Sequence, residues 1–295
     1  MSSRVVLLFN PAAGRGKAER FVCALTAALG PGGWRADAHN IADLVEGEIE
    51  DRVNQARAVV LLGGDGTVHR MAPAIARAGV PMLIAPMGTE NLLARELGMR
   101  ADVAAICRAI GEGSISHIDM PTVNETPFLV MCSVGLDAAI VAQVDSNRTG
   151  KIRRSAYLKP ALRQAIRPTL PTLRITVDDK IVCDGRQGML VVANCKRYGA
   201  RLNPARDASM TDGLLDVAFY PMRSSLDTLR WAALSWLGRQ ASARGFIKAR
   251  GRVIEVAGCD EEPAPVQVDG CPGRLEAALP LVFHSDAGRI VVLRL

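Results

Sequence analysis

The stretch VVLLGGDGTVHR, residues 59–70, sets one aspartate among three glycines at the end of an apolar run. Gly63, Gly64 and Gly66 permit close backbone approach and unusual dihedral angles. A tight glycine turn leaves N–H groups free to meet an anion. Asp65 would repel a bare phosphate, so its carboxylate points to a magnesium ion between the two, held directly or through water. Thr67 can donate to a phosphate or cap the following helix. The competing account is an aspartate satisfied by the amides of its own turn. PMGTENLLAR, from residue 86, repeats the pattern with Gly88, Thr89, Glu90 and Asn91. There Thr89 or Asn91 caps a helix, or these residues meet a nucleotide at the helix start.

A third loop, NPAAGRGKA, opens at Asn10. A phosphate-binding P-loop would need Gly in place of Pro11 and Ser or Thr in place of Ala18. The dinucleotide pattern G-x-G-x-x-G also fails, for want of its third glycine. Backbone N–H groups with Arg15 or Lys17 could still touch phosphate, and a plain strand-to-helix turn is the alternative. Asn10 joins the nucleotide-contact candidates.

These loops need elements to hold them. RVVLLF (4–9) reads as a buried strand, followed by a helix over 16–29. The run 58–62 reads as a second strand. Val68, Met71, Ala72 and Ile75 recur at helical spacing, VPMLIAP reads as another strand and ENLLAREL as another helix. Such alternation predicts a parallel sheet with helices on its faces. All three loops then leave the carboxyl ends of strands, where such sheets bind ligands. Beyond residue 115 short strand-like runs dominate: 128–134, 172–178, 187–193, 215–220, 252–257 and 289–293. We therefore expect an α/β nucleotide-binding domain over 1–117 and a mainly antiparallel, β-rich, acceptor-binding domain over 118–295. Helices are expected near 153–167 and 224–239, and the last strand is free to join either domain.

Composition bounds the partners. Of 295 residues, 49% are apolar and 22% charged, with a formal net charge of +6. That charge is too mild to indicate nucleic-acid binding, and no recognisable module accompanies it, so no nucleic-acid partner is expected. The seven cysteines form no C-x-x-C pair. They read as thiols in a reducing compartment, most of them small buried hydrophobes. No apolar run approaches a membrane span and the N-terminus lacks a signal-peptide pattern. The expected setting is the cytoplasm, including the inner face of a membrane. Trp231 and Trp236 read as packing residues.

FNPAAGRG, GGDGTVHR and PMGTENLLARELG occur in the order and spacing of the diacylglycerol kinase catalytic family, and the chain resembles that family over nearly its whole length. Sphingosine, ceramide and bacterial lipid kinases belong to the same soluble family, and NAD kinases resemble it more distantly. SVGLDAAIV, NPARDASMTDGLLDVAFYP and QVDG look like its later blocks. The resemblance implies phosphoryl transfer from ATP, with Mg2+, to a lipid hydroxyl, with diacylglycerol as a provisional acceptor and the nucleotide between the domains. It implies that Asp65 lies beside magnesium and the transferred phosphate. It implies further that Asp137 joins that acidic network and that Asp269 is the base for the acceptor hydroxyl. It places Asp212 and Asp216 near a structural metal loop. A homodimer is carried as an expected assembly. Alternatives are a non-catalytic nucleotide- or lipid-binding relative, or a kinase of a non-lipid hydroxyl such as NAD or a polyol.

The chain departs from the family at His69 and Arg70, at Leu92 and at Cys271, which stands where an acid usually follows the D-G pair. Residues 148–167, RTGKIRRSAYLKPALRQAIR, are basic with no acid. Tyr157, Leu158, Ala161, Leu162, Ala165 and Ile166 form an apolar stripe at helical spacing. This stripe either packs on the core or lies transiently on anionic lipid.

Overall fold

The computed structural model describes residues 3–147, 154–199, 202–260, 263–272 and 279–295. The chain divides into two compact units, residues 1–118 with 288–295, and residues 119–287.

The first unit is built on a six-stranded sheet. Its strands are β1 (Arg4–Phe9), β2 (Arg35–Asn40), β3 (Ala58–Gly63), β4 (Met82–Pro86), β5 (Ile115–Asp119) and the chain's last strand, β17 (Arg289–Leu293). Their order is β2-β1-β3-β4-β17-β5. β1 pairs in parallel with β2 and β3, and β4 with β3 and β17. All six residues of β3 are buried, as expected of a strand covered on both faces. Helices α1 (Lys17–Leu29), α2 (Ile49–Val53), α3 (Asp65–Arg77), α4 (Leu92–Glu96) and α5 (Val103–Glu112) supply the cover. α1 buries Ala18, Val22, Leu25 and Leu29, one face at helical spacing. The chain steps outward from β1 to β2, then in the opposite direction from β3 to β4. The sheet therefore reverses its order between β1 and β3, the switch point at which ligands bind in such sheets.

Residues 288–295, which the sequence left free to join either half, belong with the first unit. Val292 pairs with Met82, and Ile290, Val292 and Leu293 are buried.

The second unit carries β6 (Thr122–Val123), β7 (Thr126–Pro127), β8 (Met131–Val134), β9 (Thr172–Val177), β10 (Lys180–Ala193), β11 (Leu215–Pro221), β12 (Ile247–Gly251), β13 (Val253–Gly258), β14 (Val266–Val268), β15 (Cys271–Pro272) and β16 (Leu281–His284). Its described strand pairings are antiparallel. The long β10 pairs first with β9 and then, past two register shifts, with β8 and β11. Three hairpins turn through two successive residues of positive φ: Asn124–Glu125, Asp178–Asp179 and Asp269–Gly270. This is the turn whose twist matches that of the strands it joins. Phe128, Leu173, Ile175, Phe219, Ile254 and Phe283 lie in the core, with Phe128 and Phe283 edge to face at 6.1 Å. Helices α6 (Leu136–Ser146), α7 (Leu158–Ile166) and α8 (Ser225–Trp236) complete the unit.

Two expectations change here. Trp231 is packed away at 1% exposure, but Trp236 is 81% exposed and is no packing residue. Helical phase separates them: five positions apart, they point from different sides of α8. The cysteines are all free thiols, but only Cys132, Cys183 and Cys195 are buried, while Cys23 and Cys259 are exposed. Residues 148–153 of the basic segment lie outside the described residues. Among the described residues, no helix is long and apolar enough to cross a membrane.

Candidate active site

In the first unit the three loops that follow β1, β3 and β4 touch one another. The Asn10 amide donates to the Leu62 carbonyl of β3, and the Asn10 side chain accepts from Ala12 N at 3.0 Å. This closes the first loop on itself and ties its start to the end of β3. Gly14, at φ 66°, faces Met87 of the third loop. A Cβ on Gly88 would come within 2.6 Å of the Gly64 Cα and 2.7 Å of Asn91 Oδ1. A Cβ on Gly63 would overlap the side chain of Thr67, which is itself only 6% exposed. Gly63, Gly64 and Gly88 are thus bare because chain packs on chain. Gly66 differs, since a Cβ there meets nothing within 4 Å.

Asp65 and Asn91 divide the capping work in an order the sequence did not reveal. Asn91 stands at the N-cap of α4 in the left-handed region, but its Oδ1 accepts from Gly88 N at 2.8 Å and its Nδ2 donates to Gly88 O. It therefore closes the third loop rather than capping the helix. The cap comes from the neighbouring loop: Asp65 Oδ1 accepts from Leu92 N at 2.6 Å. Glu90 faces Arg95 at 3.6 Å. Arg70, a departure from the family pattern, donates to the Ile41 carbonyl at 2.6 Å.

In the second unit Asp269 occupies the first position of the β14–β15 turn, at φ 50°. Its carboxylate also reaches a distant segment. Oδ2 accepts from Leu129 N at 2.7 Å, and Oδ1 accepts from Val130 N at 2.8 Å and Met131 N at 3.0 Å. Three successive amides thus converge on one carboxylate that is 8% exposed. Asp137 sits in the first turn of α6 and takes hydrogen bonds on Oδ2 from Ser133 Oγ at 2.6 Å and Gln267 Nε2 at 3.2 Å. The buried Tyr198 hydroxyl also bonds Asp137. Burial first, and the Asp137 charge second, push the Tyr198 hydroxyl well above its ordinary range, so it remains a donor.

Gln267 joins the two acidic positions. Its Nε2 serves Ser133 and Asp137, while its Oε1 accepts from Gly270 N at 2.7 Å. Cys132 lies between them, and burial together with both carboxylates raises its thiol far above the usual range. Ser133, Gln267 and Tyr198 were missed from sequence. The available signal was polar residues interrupting otherwise apolar strands, Ser133 in MCSV and Gln267 in VQV.

Asp212 and Asp216 converge on one guanidinium. Arg250 Nη1 stands 3.4 Å from Asp212, and its Nη2 3.0 Å from Asp216. Nη2 also donates to the Asp207 carbonyl at 2.6 Å. Asp216 is buried, which raises its carboxyl above the ordinary value, with Arg250 opposing the shift. Asp119, equally unforeseen, accepts from Gly213 N at 2.9 Å and steadies the same loop.

Among the described residues, no group of three or more His, Cys, Asp or Glu side chains could hold a metal ion. At the 212–216 loop Arg250 already supplies the positive charge, and the two carboxylates are engaged with its guanidinium rather than arranged around a metal ion. At the glycine loops Asp65 fits the usual mode of magnesium with nucleotides, in which one or two carboxylates act with substrate phosphates and water.

A cavity of about 610 Å3 lies elsewhere in the second unit, among Pro168–Pro171, Arg223–Ser225 and Pro263–Pro265. Its wall backs onto Gly135, two residues before Asp137. Gly135 N donates to Pro265 O at 2.9 Å, and a Cβ on Gly135 would lie 2.9 Å from Pro171.

Comparison with known proteins finds relatives of both units. Residues 4–123 match the diacylglycerol kinase catalytic domain, and residues 130–294 match the YegS C-terminal NAD kinase beta sandwich-like domain. A Synechocystis protein is 26% identical over 238 residues, which cover 76% of this chain and 55% of that one. The chain likewise spans only 59% and 54% of two staphylococcal relatives. A Mycobacterium tuberculosis protein named diacylglycerol kinase is 24% identical over 94% of this chain and 95% of its own. A solved structure of a diacylglycerol kinase from Bacillus anthracis superposes with a TM-score of 0.69 at 16% identity, covering 99% of this chain and 97% of that one, which establishes the shared fold.

Proposed function

This chain belongs to the family of lipid kinases defined by the diacylglycerol kinase catalytic and YegS C-terminal domains, and we propose that it transfers the γ-phosphoryl group of ATP to a lipid hydroxyl. The observation that carries the reading is the interlocking of the second and third loops at the carboxyl ends of adjacent parallel strands, through Gly64, Gly88 and the Asp65–Leu92 bond. Phosphoryl transfer needs positioning and charge stabilisation more than covalent help. A rigid, side-chain-free rim supplies positioning. Gly66, open and exposed, is where the backbone can approach a phosphate without displacing protein.

Magnesium, when bound, would neutralise charge on the phosphate oxygens. Asp65 would hold it from the glycine rim, with its Oδ1 fixed by Leu92 N. In the second unit Asp269 is proposed to receive the acceptor proton. A carboxylate offers about four lone-pair sites, and three of those on Asp269 already face amides. Its orientation is thereby set before any substrate arrives. Asp137, with its three donors, is proposed to hold the polar network around that turn. Diacylglycerol is the acceptor proposed first, on the strength of the family.

The test incubates the protein with γ-labelled ATP, Mg2+ and a mixed lipid extract, then separates the products. A labelled lipid is expected, and its headgroup identifies the acceptor. Asp65→Asn keeps an oxygen for Leu92 N while removing the charge. It should leave thermal stability nearly unchanged and lower turnover by roughly 100-fold, the scale for loss of one transition-state electrostatic contact. Label in NAD or a polyol, and none in lipid, would replace this acceptor class. No labelled product from any acceptor would favour a binding protein.

A further inference from the structure

Helices α7 and α8 pack together with their polarity inverted. α7 turns Pro160 and Gln164 inward, and Gln164 is spent on Thr169 through two hydrogen bonds. Its Leu158, Leu162 and Ile166, spaced four apart, face solvent at 72%, 61% and 64% exposure. α8 buries Thr228, Trp231 and Ser235. It exposes Leu226, Leu229, Trp236 and the adjoining Leu237. Ser225 Oγ bonds the Ile166 carbonyl at 2.6 Å, fixing the start of α8 to the end of α7. Isolated exposed leucines are ordinary, but seven large apolar side chains on two joined helices form a surface built for a partner.

The charge around this surface identifies the partner. Residues 154–167 and 223–244 hold eight arginines and lysines against one acid, Asp227. These two short segments carry more net positive charge than the chain's overall +6. A second copy would bring two such basic surfaces face to face, which is repulsive. An anionic bilayer satisfies both features, with apolar side chains entering the acyl boundary and arginines and lysines meeting headgroups. Tryptophan is favoured at that interface, where Trp236 would lie.

We propose that the α7–α8 surface is an anionic-membrane docking site, entered by Trp236, Leu226 and the Leu158–Leu162–Ile166 stripe. This rests on the lipid-kinase reading and deepens it, because the same elements reach the cavity at Arg223–Ser225.

The experiment compares the parent with Leu226→Ser/Trp236→Ser in co-sedimentation with phosphatidylglycerol-containing and pure phosphatidylcholine vesicles. Tryptophan emission and sedimentation velocity are recorded in parallel. The parent should bind anionic vesicles at least ten-fold more tightly than neutral ones, lose that preference at high salt, and show a blue shift. The double variant should lose at least ten-fold in vesicle affinity with unchanged thermal unfolding. Trp236→Phe, as a control, should retain most of the binding. Equal binding of parent and double variant overturns the proposal. So does a parent that is dimeric without lipid and becomes monomeric in the double variant, which would make this surface a self-interface. Activity on a water-soluble short-chain diacylglycerol separates the two claims: docking variants should retain it. Its absence in the parent would count against the kinase reading while leaving the vesicle result interpretable.

Discussion

The two units build their polar sites by opposite means. In the first, side chains are removed: Gly64 and Gly88 let two loops press backbone against backbone, Gly63 leaves room for the Thr67 side chain, and Asp65 reaches across to Leu92 N as a strut. In the second, side chains are added: Asp269, Asp137, Gln267, Ser133 and Tyr198 hold backbone and one another through a continuous set of hydrogen bonds. A glycine rim fails when atoms are inserted, because interiors have no spare volume. A carboxylate network fails when acceptors are removed, because buried donors are left unmet. The contrast therefore predicts which substitutions are severe in each unit.

The largest effect should follow Asp269→Ala, which strips the acceptor from the amides of Leu129, Val130 and Met131. A loss of about 3–5 kcal/mol is expected, since each unmet buried donor costs about 1–3 kcal/mol and solvent relieves part of it. Chemical denaturation measures this directly. Asp269→Asn keeps one oxygen and should lose about 1–2 kcal/mol. If Asp269 is also the base, turnover of the folded Asn variant should fall by roughly 100-fold. A purely structural carboxylate would leave the turnover of the remaining folded protein near the parental rate.

Gly88→Ala comes next. Its Cβ must displace the Gly64 backbone, for about 1–3 kcal/mol of destabilisation, together with weakened nucleotide binding. Thermal unfolding and ATP calorimetry report the two effects separately.

How much of this was legible in the sequence follows the same division. The glycine loops are local: each lies within a dozen residues and leaves a buried apolar strand, so their placement at strand ends could be read directly. The parallel and antiparallel halves were equally visible in the change from helix–strand alternation to short runs. The partners of Asp269 lie about 140 positions away, and no local pattern announces them. A D-G pair is an ordinary turn former, and Asp269–Gly270 do form the turn, but such a pair says nothing of the three amides. Likewise, the glycines pointed to ligand approach, whereas Gly64 and Gly88 are first required by loop-on-loop contact and Gly63 by the Thr67 side chain of its own loop. The stripe on α7 was visible, but which side faced the core was not. Burial of Gln164 in place of Leu162 reverses what propensity alone would choose.

A smaller effect concerns Asp216. Burial raises its folded carboxyl above the ordinary 3.8. Stability from this group is therefore fully present below pH 3.8 and declines as pH rises through the raised folded value. Asp216→Asn should remove that component. The parent-minus-variant difference in unfolding free energy should fall as pH rises from 3.8 towards neutrality, as followed by thermal melts at stepped pH. A flat difference would mean that Arg250 cancels the burial cost.

The smallest effect on stability should be that of Gly66→Ala. It meets no neighbour and lies in the first turn of α3, so stability should change by less than about 0.5 kcal/mol or rise slightly. If Gly66 is the point of phosphate approach, ATP affinity should nonetheless drop. Unchanged affinity would move the approach to another glycine.

Hydrogen exchange of the whole protein, with and without ATP and Mg2+, tests the central claim most directly. Nucleotide at the interlocked loops should slow exchange together at residues 10–16, 63–67 and 86–92. Slowed exchange confined to 207–216, or no protection at the three glycine loops with saturating nucleotide, would contradict the account.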